Sequence, residues 1–132
     1  MIGGALDEKA ALASFSARFP RTGCRLLESL EPRALVLTFE GSLDGSNSQA
    51  FHDLLLTLFP DAKGKGGLII DLAGLDYISS TGVGALTTIL AEAQGHRLAL
   101  MLCGLPEHAK SIFDLLGFTL FFDMIPSYKA TG

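Results

Sequence analysis

The run Leu68-Ile69-Ile70-Asp71-Leu72 constrains this 132-residue chain more than any other stretch. A strand built from it carries apolar side chains on both faces, so it must be covered on both and belongs at the centre of a sheet. The segment before it, Asp61 to Gly67, is polar and glycine-rich and reads as a flexible connector. The segment after it carries hydroxyls and then small residues, and opens a helix whose inward positions are Val83, Leu86, Ile89, Leu90 and Ala93.

The remaining elements arrange themselves around that strand. Asp7 to Phe19 predicts a helix capped by Asp7, with Leu12, Phe15 and Phe19 on one face and Pro20 as its stop. Cys24–Leu30 and Ala34–Glu40 predict two strands joined by a tight turn at Pro32 and Arg33. A helix carrying Phe51, Leu54, Leu55 and Leu58 follows the 41–47 loop and is expected to end at Pro60. Arg97–Leu102 predicts a strand, Pro106 opens a helix ending at Gly117, and Phe118–Ile125 predicts a last strand. The order β-β-α-β-α-β-α-β, with an extra N-terminal helix, implies an α/β fold: a mixed sheet with helices packed on its faces. The expected division is an extension over 1–23, one domain over 24–126 and a short tail over 127–132.

With 48% hydrophobic and 18% charged residues, the chain can fill a core, which excludes disorder over most of its length. A net charge of −4 argues against a nucleic-acid partner, because neutralising phosphates takes clustered lysine and arginine. The apolar run Leu98–Cys103 is far shorter than the ~20 residues of a spanning helix, and Met1–Leu6 runs into Asp7 and Glu8 without a signal-peptide pattern. The expectation is a cytoplasmic protein without a membrane role, its Cys24 and Cys103 buried free thiols.

No catalytic constellation stands out. His52, His96 and His108 fall on separate elements with no metal-ligand spacing, so neither a metal nor a cofactor is expected. The Gly-x-Ser-x-Gly elbow of hydrolases is absent. Gly64-Lys65-Gly66-Gly67 lacks the spacing of a phosphate loop, and Gly82-Val83-Gly84 lacks the third glycine and distal carboxylate of a dinucleotide site. What stands out is Tyr77-Ile78-Ser79-Ser80-Thr81-Gly82-Val83-Gly84: one hydroxyl suffices to cap a helix, and three are present. Glycine inside a helix costs about 1 kcal/mol relative to alanine, so two in the first turn suggest close approach there by another chain or group.

Asp71-Leu72-Ala73-Gly74-Leu75-Asp76-Tyr77-Ile78-Ser79-Ser80-Thr81-Gly82-Val83-Gly84 resembles the signature of the STAS domain, the fold of the bacterial anti-sigma factor antagonists. Phe39-Glu40-Gly41-Ser42-Leu43-Asp44 is similar to the motif before that family's first helix. Leu102-Cys103-Gly104-Leu105 and Leu115-Leu116-Gly117-Phe118 match the spacing of its last strand-helix-strand unit. The resemblance implies a regulator of transcription that acts by binding and is not an enzyme. Its partner would be an anti-sigma factor that is also a serine kinase; phosphorylation at Ser80 would break the complex and a serine phosphatase would restore it. Ser79 stands where the family usually has an acidic residue, which leaves Ser79 and Thr81 as alternative acceptors. The partner surface so implied comprises Asp76, Ser79, Ser80, Thr81, Gly82, Val83, Gly84 and Ala85, with Ser42 and Asp44 nearby. The other role the fold allows is a ligand-sensing or scaffolding module without sigma-factor control.

Overall fold

The computed structural model describes residues 3–131, with side chains from Asp7 onward. Met1 and Ile2 of the expected extension and Gly132 of the tail lie outside the described residues. The chain runs α1 (Gly3–Arg18), β1 (Gly23–Glu31), β2 (Arg33–Leu43), α2 (Ser48–Gly64), β3 (Leu68–Ile78) and α3 (Ser80–Gly95). It continues with β4 (Leu100–Cys103), α4 (Glu107–Leu115), a 3-10 turn (Thr119–Phe121), β5 (Asp123–Ile125) and β6 (Lys129–Ala130). The expected order and the N-terminal helix are both present, with one strand more.

The six strands form one mixed sheet in the order β5-β4-β3-β2-β1-β6. β1 lies antiparallel to β2 and β6, while β2 through β5 run parallel. From β2 to β5 each strand is added on the same side of the last. Right-handed crossovers therefore put α2, α3 and α4 on one face, rather than dividing helices between two. Phe39, Phe51, Leu55, Leu72, Leu86 and Phe113 belong to the single core there.

α1 joins that core. Phe15 is 3% exposed, its ring stands edge-on to Phe39 and Phe51, and Leu12 and Phe19 pack beside it. Burying a phenylalanine is worth roughly 2–3 kcal/mol, so α1 is seated by apolar area.

The opposite face carries a smaller cluster: Ala34, Val36, Ile69, Met101 and Cys103, with Leu27, Ile125 and Tyr128 packed on it. The tail covers it. β5 and β6 are opposite edges, about 24 Å apart in a flat six-stranded sheet, yet only residues 126–128 link them, a reach of about 14 Å. The sheet must curl to let the tail cross. Tyr128 then reaches inward and its phenol donates to Asp71 Oδ2 at 2.6 Å.

Several element boundaries differ from the sequence expectation. α1 starts at Gly3, so Asp7 lies inside it and is not its cap. α2 continues through the exposed Pro60 to Gly64, its last turn held by the fully buried Ala62, and the connector shrinks to residues 65–67. Gly66 takes φ +97, and a Cβ there would meet the Arg33 carbonyl at 2.8 Å. β4 starts at Leu100, because Arg97 at φ +56 is still closing α3. The expected strand over 118–125 becomes a 3-10 turn and a three-residue strand, which leaves Leu120 and Phe121 exposed.

Candidate functional site

β3 runs on past Leu72 to Ile78, and its parallel pairing with β2 sets the site. Ser42 pairs with Tyr77 and Leu43 with Ile78, so two stretches some 35 residues apart in sequence end side by side. The Ser79 amide then donates to the Leu43 carbonyl at 3.0 Å, tying the start of α3 to the end of β2.

The three hydroxyls have three different situations. Ser79 is the N-cap of α3: its backbone is extended and its Oγ accepts from the Gly82 amide at 3.1 Å. Ser80, the first helical residue, is exposed, and among the described residues its hydroxyl has no protein hydrogen bond. Thr81 is exposed too, and faces a shallow cleft of about 250 Å³ between the first turns of α2 and α3 that Ser48, His52, Ala85 and Thr88 also line.

The glycine at position 82 is required from within the chain and not by a partner. A Cβ on Gly82 would lie 2.5 Å from the Leu43 carbonyl oxygen and 2.8 Å from Ile78 Cγ1, so the close approach is intramolecular. Gly82 is buried and Val83 is fully buried in the core, which takes both off the exposed surface. Gly84 has open space around it and, with Ala85, is half-buried.

Asp76 and Tyr77 are exposed beside this turn, Tyr77 at 52%. Ser42, near the end of β2, and Asp44, on the loop that follows it, are half-buried, and that loop is braced from within. Asp44 Oδ1 accepts from the Ser46 amide (2.9 Å) and hydroxyl (2.6 Å), and these bonds hold its carboxyl below the usual aspartate range. Asn47, buried at the start of α2, does not cap it. Its side chain turns back, accepting from the Asp44 amide and donating to the Ser42 carbonyl. Buried asparagine before a helix reads as a cap in sequence, so this role was hidden.

A groove of about 470 Å³ opens next to this loop, lined by Ser42, Asp44 and Asp76 together with Arg18, Phe19 and Arg21. Nothing in the sequence indicated that the end of α1 would be a wall of it. Arg18 is held 5.1 Å above the Phe19 ring, and among the described residues neither arginine forms an ion pair.

The three histidines stand at separate helices. His52 Nδ1 is 3.2 Å from Asp53, the His96 ring stands edge-on to Phe59, and His108 Nε2 is 3.3 Å from the Leu75 carbonyl. The described residues contain no group of three or more His, Cys, Asp or Glu able to hold a metal ion. Burial pushes the Cys24 thiol up to about 12, with Glu40 adding to it, and also raises Cys103. No described helix is long and apolar enough to cross a membrane.

This geometry has known counterparts. The STAS domain pattern matches residues 29–130. The chain is 27% identical over 98 residues to BtrV of Bordetella bronchiseptica, whose name places it among the anti-sigma factor antagonists; the match spans 74% of this chain and 83% of BtrV. The fold is similar to that of an anti-sigma factor antagonist from Mycobacterium paratuberculosis, with a TM-score of 0.66 at 17% identity over 80% of this chain and 86% of that one. It is also similar to Bacillus SpoIIAA, an anti-sigma factor antagonist, in its unphosphorylated form (TM-score 0.58, 16% identity, 80% and 89% covered). The phosphorylated form of SpoIIAA gives a TM-score of 0.57 at 18% identity, with 80% and 91% covered. With the family pattern covering residues 29–130, the chain belongs to the STAS domain family and has the fold of the anti-sigma factor antagonists.

Proposed function

We propose that this chain is a cytoplasmic, non-enzymatic switch of the anti-sigma factor antagonist kind. It binds an anti-sigma factor with serine-kinase activity while Ser80 is free and is released when Ser80 is phosphorylated; a serine phosphatase resets it. The observation that carries this reading is the separation of the three hydroxyls: Ser79 is spent on the cap, whereas Ser80 is exposed and uncommitted on the same edge as Asp76, Tyr77 and Asp44. The partner surface is then Asp76, Tyr77, Ser80, Thr81, Gly84 and Ala85, with Ser42 and Asp44 alongside. We place the regulatory domain at 24–126, with α1 of the 1–23 extension seated on its core and the 127–132 tail completing its sheet through β6.

The physics of the turn supports a switch without refolding. α3 has no acidic residue in its first turn, so a phosphate on Ser80 would meet free backbone N–H groups and the positive end of the helix dipole. A partner seated on that turn would instead meet about −1.5 to −2 new charges. If desolvating them costs about 3–4 kcal/mol, affinity falls on the order of a hundredfold to a thousandfold.

The groove beside Asp44 and Asp76 is the observation that favours a second reading, a ligand-sensing or scaffolding module. Capture from the source organism's lysate on wild type and on Ser80→Asp, read by mass spectrometry, separates the two. A kinase-type ATPase kept by wild type and lost by the variant supports the switch. Identical captured sets overturn it, and a small molecule copurifying with the chain supports the second reading.

A further inference from the structure

The inward stripe of α1 contains a carboxylate. Glu8, Leu12, Phe15 and Phe19 follow one another at helical spacing, and Glu8 is 6% exposed, nearly as buried as Phe15. A glutamate in that position is unusual unless it is paired. It faces Asp61 of α2 and Lys65 just past the end of that helix, and beyond Lys65 lies Glu28 of β1; the four line one cleft of about 350 Å³ with Leu26 and Leu35. Lys65 Nζ is already committed, at 2.9 Å from Asp61 Oδ2 and 3.5 Å from Glu28 Oε1. With every group ionised, one ammonium must serve three carboxylates across the seam between α1 and the rest of the fold.

We propose that α1 is a proton-gated clasp, seated tightly on α2 and β1 when Glu8 carries a proton and loosened when Glu8 ionises against Asp61 and Glu28. A neutral Glu8 carboxyl can donate a hydrogen bond to Asp61 and needs no counter-ion, whereas an ionised one adds a second uncompensated charge at the buried end of a partly solvated seam. The surroundings act in that sense: burial and then Asp61 hold the Glu8 carboxyl above its ordinary value of 4.5, and Lys65 opposes them only in part. A group raised on folding contributes stability in full below its ordinary value and loses it as pH rises through the folded value. The clasp is thus closed in acid and eased toward neutrality. Arg18 and Phe19, at the other end of the same helix, wall the groove beside Asp44 and Asp76, so easing α1 alters that wall. This consequence rests on the reading of that edge as a partner surface; the clasp does not.

Amide hydrogen exchange on the purified full-length chain, corrected for intrinsic rates, reads the clasp directly over residues 10–18. In wild type, protection of this segment falls between pH 4.5 and pH 7 by more than about threefold, while β3 stays unchanged. Glu8→Gln, a permanently neutral isostere, abolishes that fall and exchanges more slowly than wild type at pH 7. Asp61→Asn gives the same relief from the α2 side, which guards against a local packing defect in Glu8→Gln. Lys65→Gln moves protection the other way. Identical pH profiles for wild type and Glu8→Gln overturn the clasp, whatever the outcome of the Ser80 experiments.

Discussion

Gly82 is pressed so closely against Leu43 that a single added carbon would lie 2.5 Å from the Leu43 carbonyl oxygen. The contact fixes where α3 starts relative to the end of β2, and hence how Ser80 is presented. Gly82→Ala is expected to cost about 1–3 kcal/mol through overpacking, read as a lower urea midpoint. Gly84→Ala, in open space, should be neutral or stabilise by up to about 1 kcal/mol. Equal effects at the two glycines would show that the Leu43 contact is not what requires Gly82.

Ser80→Asp places a negative charge at the N-terminal end of α3 without a new contact. The variant should keep its thermal midpoint, or gain the equivalent of about 0.5 kcal/mol from the helix dipole. Its affinity for the captured kinase should fall on the order of a hundredfold or more by calorimetric titration, while Ser80→Ala binds like wild type and resists phosphorylation. A Ser80→Asp protein that binds as tightly as wild type would sink the charge mechanism.

Phe15 ties α1 to Phe39 and Phe51 in the main core. Phe15→Ala should lose about 3–5 kcal/mol, and removing residues 1–19 should lower the melting temperature by several degrees. An unchanged melting temperature in the truncated chain would mean that α1 does not stabilise the sheet it covers.

The tail is held by the hydrogen bond from Tyr128 to Asp71, and by the pairing of Ala130 with Ser29 and Lys129 with Glu31. Burial, with the neighbouring Asp71 carboxylate, raises the Tyr128 phenol, so it remains the donor well above neutral pH. Tyr128→Phe should lose about 1–2 kcal/mol in chemical denaturation and speed amide exchange at Lys129 and Thr131. Unaltered exchange there would locate the tail's anchorage in strand pairing alone.

With its thiol pushed up to about 12, Cys24 is protonated at pH 8 and should resist iodoacetamide in the native chain, reacting at ordinary rates only in denaturant. Cys24 is half-buried, where the sequence led one to expect full burial as at Cys103, so rapid native alkylation there would contradict the raised thiol.

The α/β order was legible because each element announces itself within a few residues: the apolar run at Leu68–Leu72, the helical spacing of Leu86, Ile89, Leu90 and Ala93, and the motif from Asp71 to Gly84. Boundaries were less so. Pro60 marks a helix end by local propensity, but burial of Ala62 carries α2 past it; the apolar Phe118–Ile125 suggests a long strand, yet Leu120 and Phe121 end up exposed.

At the site, sequence alone established that a strand leads through Ser79, Ser80 and Thr81 into a helix, since a hydrogen-bonding side chain before a helical pattern acts within three or four residues of itself. Which hydroxyl is spent on the cap, why Gly82 must be glycine, how Asn47 braces the Asp44 loop and why Glu8 lies buried against Asp61 were decided only in the folded chain. The Gly82–Leu43 and Glu8–Asp61 contacts join residues far apart in sequence and leave no periodicity to read, whereas the Ser79 and Asn47 hydrogen bonds are local and only the folded backbone selects them among neighbouring candidates.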